Sequence, residues 1–386
     1  MLKLRKATVV EVLASHPGEQ ELVVELADGS RRAAISDVSL HGACQAGDEL
    51  IVNVQALDLG LGSGGFDVVH VNLTRVDEDP AHPEGPADDA RVMKLNYTSL
   101  QHAVQPVEGE TLELPLERPV AVLGLHGQLA AVAWAFAQQH PQARLGFVQT
   151  PGGALPGGRS RTVELLRERG LLAGHITAGA AYGGEQEAIT TAGAIHHGIR
   201  TLDWDAAVCG PGPGIVGSRS PLGHGGLHAL DSAHAALALG APTLLVARMS
   251  SADSRPRHRG VSHHTLTVLD LLLQPVTVAL PAGIRSPAGA DLRATLGSVF
   301  GSSTGRGRPQ LALDVDRPTD RGPAGLARHD WRRAPIDLPA YLASGLPAVS
   351  MGRELVQDPL FFAAALAGGA ALAELCELAG AHAEAH

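Results

Sequence analysis

The sequence predicts an α/β protein: a mostly parallel, doubly wound, Rossmann-like sheet preceded by a small β-barrel-like domain. Three observations carry that reading. Val-rich and alternating segments crowd the first 75 or so residues. From about residue 118, short apolar segments alternate regularly with helical stretches, which is the pattern of a parallel sheet covered by helices. Several of the apolar segments run directly into glycine clusters, as strand ends at a ligand rim do.

Within residues 1–76, strands are expected at Thr8–Val12, Glu21–Leu26, Glu49–Val54 and Asp67–Leu73, with Asp28-Gly29 as a hairpin signal and Gly60, Gly62, Gly64 and Gly65 as turns. A small barrel or sandwich accommodates them. Residues 77–92 contain the acidic, proline-rich run DEDPAHPEGPADD and are expected to form a linker or exposed loop. Residues 93–386 are then the α/β domain. Its expected strands and helices are Val120–Leu125 then Gln128–Gln139, Arg144–Gln149 then Arg161–Arg169, and His175–Ala178 then Glu187–Gly198. Ala206–Cys209 then Gly226–Leu239, and Thr243–Ala247, continue the series. Further strands are expected at Val276–Leu280, Gln310–Val315 and Pro347–Ser350.

Composition narrows the function. The chain has 386 residues with a formal net charge of −10, and only 3% are aromatic. That balance argues against a nucleic-acid partner, which calls for basic surface and stacking platforms. Cys44, Cys209 and Cys376 are widely spaced, so neither a disulfide framework nor a cysteine zinc site is indicated. The charged N-terminus MLKLRKATVVEVL does not read as a signal peptide. The apolar run Phe361–Ala373 is short of the roughly 20 residues that cross a bilayer. A cytoplasmic protein with no membrane partner is the expectation.

Two segments carry the chemistry. Residues 210–226 read GPGPGIVGSRSPLGHGG, in which Gly210, Gly212, Gly214 and Gly217 would let backbone amides approach a phosphate or carboxylate ahead of a helix N-terminus. The same run matches the letters of the dinucleotide fingerprint, but Pro213 and Pro221 delay the helix and no acidic residue follows at the usual distance. An NADP-dependent oxidoreductase is therefore the weakest reading. No G-K-[ST] motif occurs, which sets aside a P-loop ATPase, and an α/β-hydrolase triad is not expected.

The second segment, RMSSADSRPRHRGVSHHT from Arg248 to Thr265, concentrates arginine, histidine and hydroxyl groups just after an expected strand. Ser262 before a periodic apolar run is an expected helix cap, with His263 and His264 in the first turn. Directions of neighbouring helical side chains diverge by about 100°, so one histidine is expected to face a ligand while the other packs. His263, His264 and Asp253 are the candidate catalytic residues: a neutral histidine handles protons near pH 7, and Asp253 would act as a base, an arginine-orienting group or a metal ligand. Arg248, Arg255, Arg257 and Arg259, with Ser250, His258, Ser262 and Thr265, are candidates for holding an anion. His224 and Glu187 are candidate ligands of a divalent metal. His234 is expected in the core, His196 and His197 at a structural helix end, and Cys209 buried and inert.

The runs GPGPGIVGS, LGHGG, RMSSADSRPRHRGVSHHT and SMGRELVQDPLFFAAALAGG together resemble an uncharacterised bacterial domain-of-unknown-function family, number 3866. RHRGVSHHT is the most specific of them. The resemblance spans most of the chain, including its β-rich start, and implies one integral architecture but no activity. The sequence thus points to an enzyme, a hydrolase or group transferase, acting on a phosphorylated or carboxylated small molecule. A non-catalytic regulatory protein binding a nucleotide or other anion is the alternative. Substrate, cofactor and homo-oligomeric state are left open.

Overall fold

The structure, a computed structural model, describes residues 2–61, 64–77, 92–282 and 324–383. The proline-rich run between the expected domains lies almost wholly outside them, and the expected strand Gln310–Val315 lies wholly outside.

Five strands close an N-terminal barrel: β1 (Leu4–His16), β2 (Glu19–Leu26), β3 (Arg31–Asp37), β4 (Glu49–Asn53) and β5 (Asp67–Asn72), in the order β1-β2-β3-β5-β4. Alternation sends Val9, Leu22, Val24, Leu50 and Val52 inward, where each is buried. At the expected hairpin, Gly29 takes φ 80° and the Asp28 carboxylate accepts from the Ser30 amide. The strand that sequence reasoning missed is β3, because RRAAISD offers alanines where β-branched residues would signal a strand; Ala34 and Ile35 are nonetheless buried in it. Short helices α1 (Val38–His41) and α2 (Gln55–Asp58) fill the connections. The barrel docks on the rest of the chain through Glu19, which pairs ionically with Arg159 at 3.0 Å and accepts from Arg161 at 3.2 Å, and through Phe66 beneath the Arg159 guanidinium.

A hairpin of β6 (Val92–Lys94) and β7 (His102–Val104) leads into an eight-stranded sheet. Its strands are β8 (Val120–Leu123), β9 (Leu145–Thr150), β10 (Gly174–Ala178), β11 (Gln186–Ala188), β12 (Ala206–Pro211), β13 (Thr243–Val246), β16 (Thr277–Ala282) and β17 (Asp330–Pro335). The order is β11-β10-β9-β12-β8-β13-β16-β17, and every neighbouring pair is parallel. The central strands are apolar and buried along their whole length, as strands covered on both faces must be. Helices α3 (Leu129–Gln139), α4 (Arg161–Glu168) and the C-terminal helix Pro359–Ala383 pack on one face. Helices α5 (Thr191–Arg200), α6 (His228–Ala238) and α7 (His263–Leu271) pack on the other. Between β13 and α7, a two-stranded hairpin of β14 (Met249–Ser250) and β15 (Gly260–Val261) closes a tight loop.

Three expectations are corrected. The helix expected from Glu187 starts at Thr191, since Thr190 caps it and residues 186–188 add an edge strand to β10. Pro347–Ser350 contributes only Val349–Ser350, paired with Arg353–Glu354 outside the main sheet, whose last strand is instead β17. The apolar run at Phe361 belongs to a helix long and apolar enough to cross a membrane by length and composition, so length does not exclude a span. The most apolar stretch of that helix is 89% buried inside the protein, against α3 and the sheet, and this burial accounts for its composition.

The connections explain where a site forms. From β8 the chain moves to β9 and on toward β11, whereas from β12 and β13 it moves the opposite way. Connections therefore diverge between the adjacent strands β8 and β13, the position at whose carboxyl ends open parallel sheets form a ligand crevice. At the opposite end, fully buried Trp204 occupies a socket that only glycines leave open: a Cβ on Gly146 would lie 1.9 Å from its ring, and one on Gly198 2.3 Å. Gly146→Ala is expected to destabilise the protein by about 1–3 kcal/mol or more through overpacking, read as a lowered urea midpoint; an unchanged midpoint contradicts this packing.

Candidate functional site

The carboxyl end of β13 places Arg248 at the crevice, and the β14–β15 hairpin returns the chain so that α7 starts beside it. Ser262 caps α7, accepting from the His264 amide at 3.2 Å, and its hydroxyl also meets His258 Nδ1 at 2.8 Å. Thr265 Oγ1 accepts from the Arg248 amide at 2.9 Å. These contacts fix His258, His263 and His264 in one place. Their ligand nitrogens all lie within 4.8 Å of one another. Ring centroids are 4.8 Å apart for His258–His263, 4.9 Å for His258–His264 and 4.4 Å for His263–His264. His224 completes the pile, stacked on His264 at 3.5 Å with the rings 8° from parallel.

This overturns the expectation that adjacent His263 and His264 point apart. Side chains in the first helical turn lean back toward the N-terminus, and here both rings do so over the loop that carries His258. His224 arrives because residues 212–223 fold back on themselves, with Gly217 bridged to His224 and α6 beginning only at His228. That geometry differs from a glycine turn opening directly into a helix, as the dinucleotide fingerprint requires. Nor do the glycines act together as an amide cradle. Gly210 is inside β12, and Gly212 is packed so tightly that a Cβ would lie 2.2 Å from the Ala154 carbonyl. Gly214 and Gly217 are exposed in the loop.

Asp253 is the electrostatic centre. Its carboxylate is 1% exposed and takes a two-pronged bond from Arg255, 2.9 Å from Nε and 2.8 Å from Nη2. Arg353 Nη2 lies 3.4 Å away and Arg248 Nη2 3.7 Å. Arg259 donates to the Asp253 backbone carbonyl at 2.9 Å. The Arg255 hydrogen bonds hold the carboxyl far below the ordinary aspartate range despite its burial, so Asp253 orients arginines and is unsuited to act as a base. Arg255 and Arg259 are accordingly engaged by Asp253, although Arg259 is otherwise exposed. Arg257 is half-buried with no partner at Nε, and Arg248 reaches the pile, its Nη1 lying 3.1 Å from His264 Nδ1. Guanidinium only donates, so His264 accepts at Nδ1 and is neutral.

Glu187 does not join His224. It lies at the far edge of the sheet, where its carboxylate binds the buried Lys94 ammonium, the Thr177 hydroxyl and the Gly183 amide. A buried partner that sequence reasoning missed is Asp358, which accepts from Ser250 Oγ at 2.5 Å, the Ser251 amide at 2.8 Å and Arg353 Nε at 3.1 Å. Asp358 directly precedes Pro359 at the start of a helix, which reads only as a helix boundary in sequence. The other histidines behave structurally: His234 is half-buried and accepts from the Leu273 amide, and His196 accepts from the Glu113 amide.

Residues 33–369 match the family described as "Protein of unknown function (DUF3866)". The chain belongs to that family. The DUF3866 match begins inside β3 and runs into the C-terminal helix, so it takes in the crevice, the histidine pile and Asp358. No curated protein and no solved structure shows significant similarity to the chain.

Burial, then Arg248 and Arg255, push His258 down to about 3; burial, then His224 and Arg248, push His264 down to about 2. Burial lowers His224 as well, and lowers Arg248 to about 10. In the unfolded chain His258 and His264 take up protons near pH 6.5, whereas in the folded protein they resist. Their stabilising effect is therefore complete above pH 6.5 and is lost as pH falls toward the folded values. In chelator-treated protein, unfolding free energy is expected to drop between pH 6.5 and 4 by up to about 1.4 kcal/mol per pH unit for each histidine. His258→Asn and His264→Asn should each flatten that slope; a flat wild-type profile contradicts buried neutral rings. Asp253→Ala strands its arginines and should cost about 3–5 kcal/mol in a denaturant titration, whereas a loss under 1 kcal/mol contradicts its central place.

Proposed function

We propose that this DUF3866 protein is a metal-assisted hydrolase or group transferase acting on a small molecule with a phosphate or carboxylate group. The observation that supports this reading is the convergence of three imidazoles, His258, His263 and His264, on one point beside the carboxyl end of a parallel strand, with burial keeping His258 and His264 neutral. Nitrogens about 2.0–2.1 Å from a tetrahedral ion place ring centres about 5 Å apart, close to the separations of 4.4–4.9 Å found here. The Ser262 hydroxyl against His258 Nδ1 supplies the outer hydrogen bond that orients a ligating ring and leaves Nε2 for the ion. A bound ion of the zinc type would supply an activated water near neutral pH and polarise the scissile group.

The chain's own groups then divide the work. A neutral imidazole has one lone pair, and Arg248 occupies that of His264, so His264 would serve as a ligand through Nδ1 only with the Arg248 guanidinium withdrawn. Withdrawn, Arg248 would remain close to the Asp253 carboxylate and could grip an anionic substrate, with Arg257 nearby in sequence and half-buried. His224 completes no well-formed hydrogen bond at either ring nitrogen, although the Pro221 carbonyl partly offsets its burial. It is placed beside His264 to accept or return a proton. The Arg248–His264 contact also favours a second reading, an anion-binding regulatory protein without metal.

Metal analysis of untagged protein after incubation with Zn2+ and desalting separates the two. The enzyme reading expects about one ion per chain, lost in His258→Ala and His263→Ala, and retained at equal or higher affinity in Arg248→Gln. Wild-type protein that retains no Zn2+, Mn2+ or Co2+ and gains no thermal stability from them contradicts the metal site.

A further inference from the structure

Arg248 and a metal ion compete for one lone pair. While Nη1 donates to His264 Nδ1, the ring proton sits on Nε2, so neither nitrogen of that neutral ring can bind an ion. His258, His263 and His264 act as three ligands only when the guanidinium has left. Among the described residues the Arg248 side chain makes no other hydrogen bond, and its Nη2 is buried without one.

A guanidinium that leaves His264 finds the nearby acids occupied. Asp253 Oδ1 accepts from the Arg255 amide at 3.0 Å and Arg255 Nε at 2.9 Å, and Oδ2 accepts from Arg255 Nη2 at 2.8 Å and Arg353 Nη2 at 3.4 Å. Asp358 Oδ1 accepts from the Ser251 amide and hydroxyl, and its Oδ2 from Ser250 Oγ and Arg353 Nε. A carboxylate has about four such positions, so both acids are saturated. Arg248 Nη2 accordingly lies 3.7 Å from Asp253 Oδ2, beyond hydrogen-bond distance. The two acids neutralise the cation without satisfying its donors. Arg248 is only 4% exposed, so once displaced it needs an acceptor brought in from outside.

Anion binding has the mirror requirement. Nη2 has almost no accessible surface where it lies, so an anion meets the Nη1–Nη2 fork only after the side chain has swung away from His264. A two-pronged grip also takes up Nη1, the atom now given to the ring. Both ligands thus select the same displaced arrangement, and ligands that select one arrangement strengthen each other. We propose that Arg248 couples the two, so that an ion on the histidines and an anion on the guanidinium bind with mutual reinforcement. This rests on the metal-assisted reading above and adds that the phosphate or carboxylate is held by Arg248, not by the ion alone.

Equilibrium dialysis of the full, untagged, chelator-stripped chain against Co2+ tests this, in chloride, inorganic phosphate or acetate at matched ionic strength, with affinities referred to free Co2+. In wild-type protein, phosphate or acetate is expected to tighten Co2+ binding about tenfold or more over chloride, and Co2+ to tighten calorimetric binding of that anion by the same factor. Arg248→Gln should bind Co2+ in chloride at least as tightly as wild type, and the anion should change that affinity less than about twofold. Arg255 and Arg353 still neutralise Asp253 in this variant, so its fold is expected to hold. Co2+ uptake that neither anion strengthens overturns the coupling and leaves the metal site standing. Full strengthening in Arg248→Gln means that the anion reaches the ion unaided, and overturns the role of Arg248. No Co2+ uptake in any buffer overturns the coupling together with the metal site.

Discussion

One buried carboxylate organises the crevice. Asp253 is enclosed by Arg255, Arg353 and Arg248, three guanidinium groups brought from the loop after β14, from the segment before the C-terminal helix, and from the end of β13. A carboxylate is buried at this depth only when paired and hydrogen-bonded, and each arginine near it is affordable only because the carboxylate is charged. Asp358 repeats the arrangement one step outward, tying Ser250 and Arg353 to the start of the last helix. Removing Asp253 leaves Arg248 and Arg255 close together without their carboxylate, with Asp358 reaching only Arg353, and the loop bearing His258 loses its anchor.

That electrostatic frame sets the chemistry of the histidines. His224, His258 and His264 lie beside a buried guanidinium, so protonation of any of them adds like charge in a place poor in water. Kept neutral, they have lone pairs to offer, which suits a metal ion or a proton transfer and makes a permanently cationic pile unfavourable. The topology adds position: the rings lie beside the carboxyl end of β13, where the connections from β8 and β13 part, the place at which open parallel sheets hold ligands.

Much of this was legible in the sequence. The buried strands of a parallel sheet are continuous apolar runs, and those at Val120, Leu145, Ala206 and Thr243 announce themselves by composition alone. Ser262 was readable as a cap because it precedes a periodic helix, and the density of Arg and His from Arg248 to Thr265 marked the wall of the crevice. What could not be read was partnership over distance. Asp358 meets Ser250 across more than a hundred positions, and Glu187 belongs to Lys94 instead of to His224. Helical geometry also misled at His263 and His264, since the angle between neighbouring Cβ directions says little about rings that both fold back over one loop.

The proposed chemistry needs three imidazoles, His258, His263 and His264, to serve one ion. X-ray absorption at the zinc edge of the loaded, untagged protein addresses this most directly. It predicts a shell of about three imidazole nitrogens at about 2.0–2.1 Å, with the outer-ring scattering typical of histidine and one lighter oxygen ligand. A zinc environment dominated by sulfur or by carboxylate oxygen, or one unchanged by His263→Ala, would contradict it.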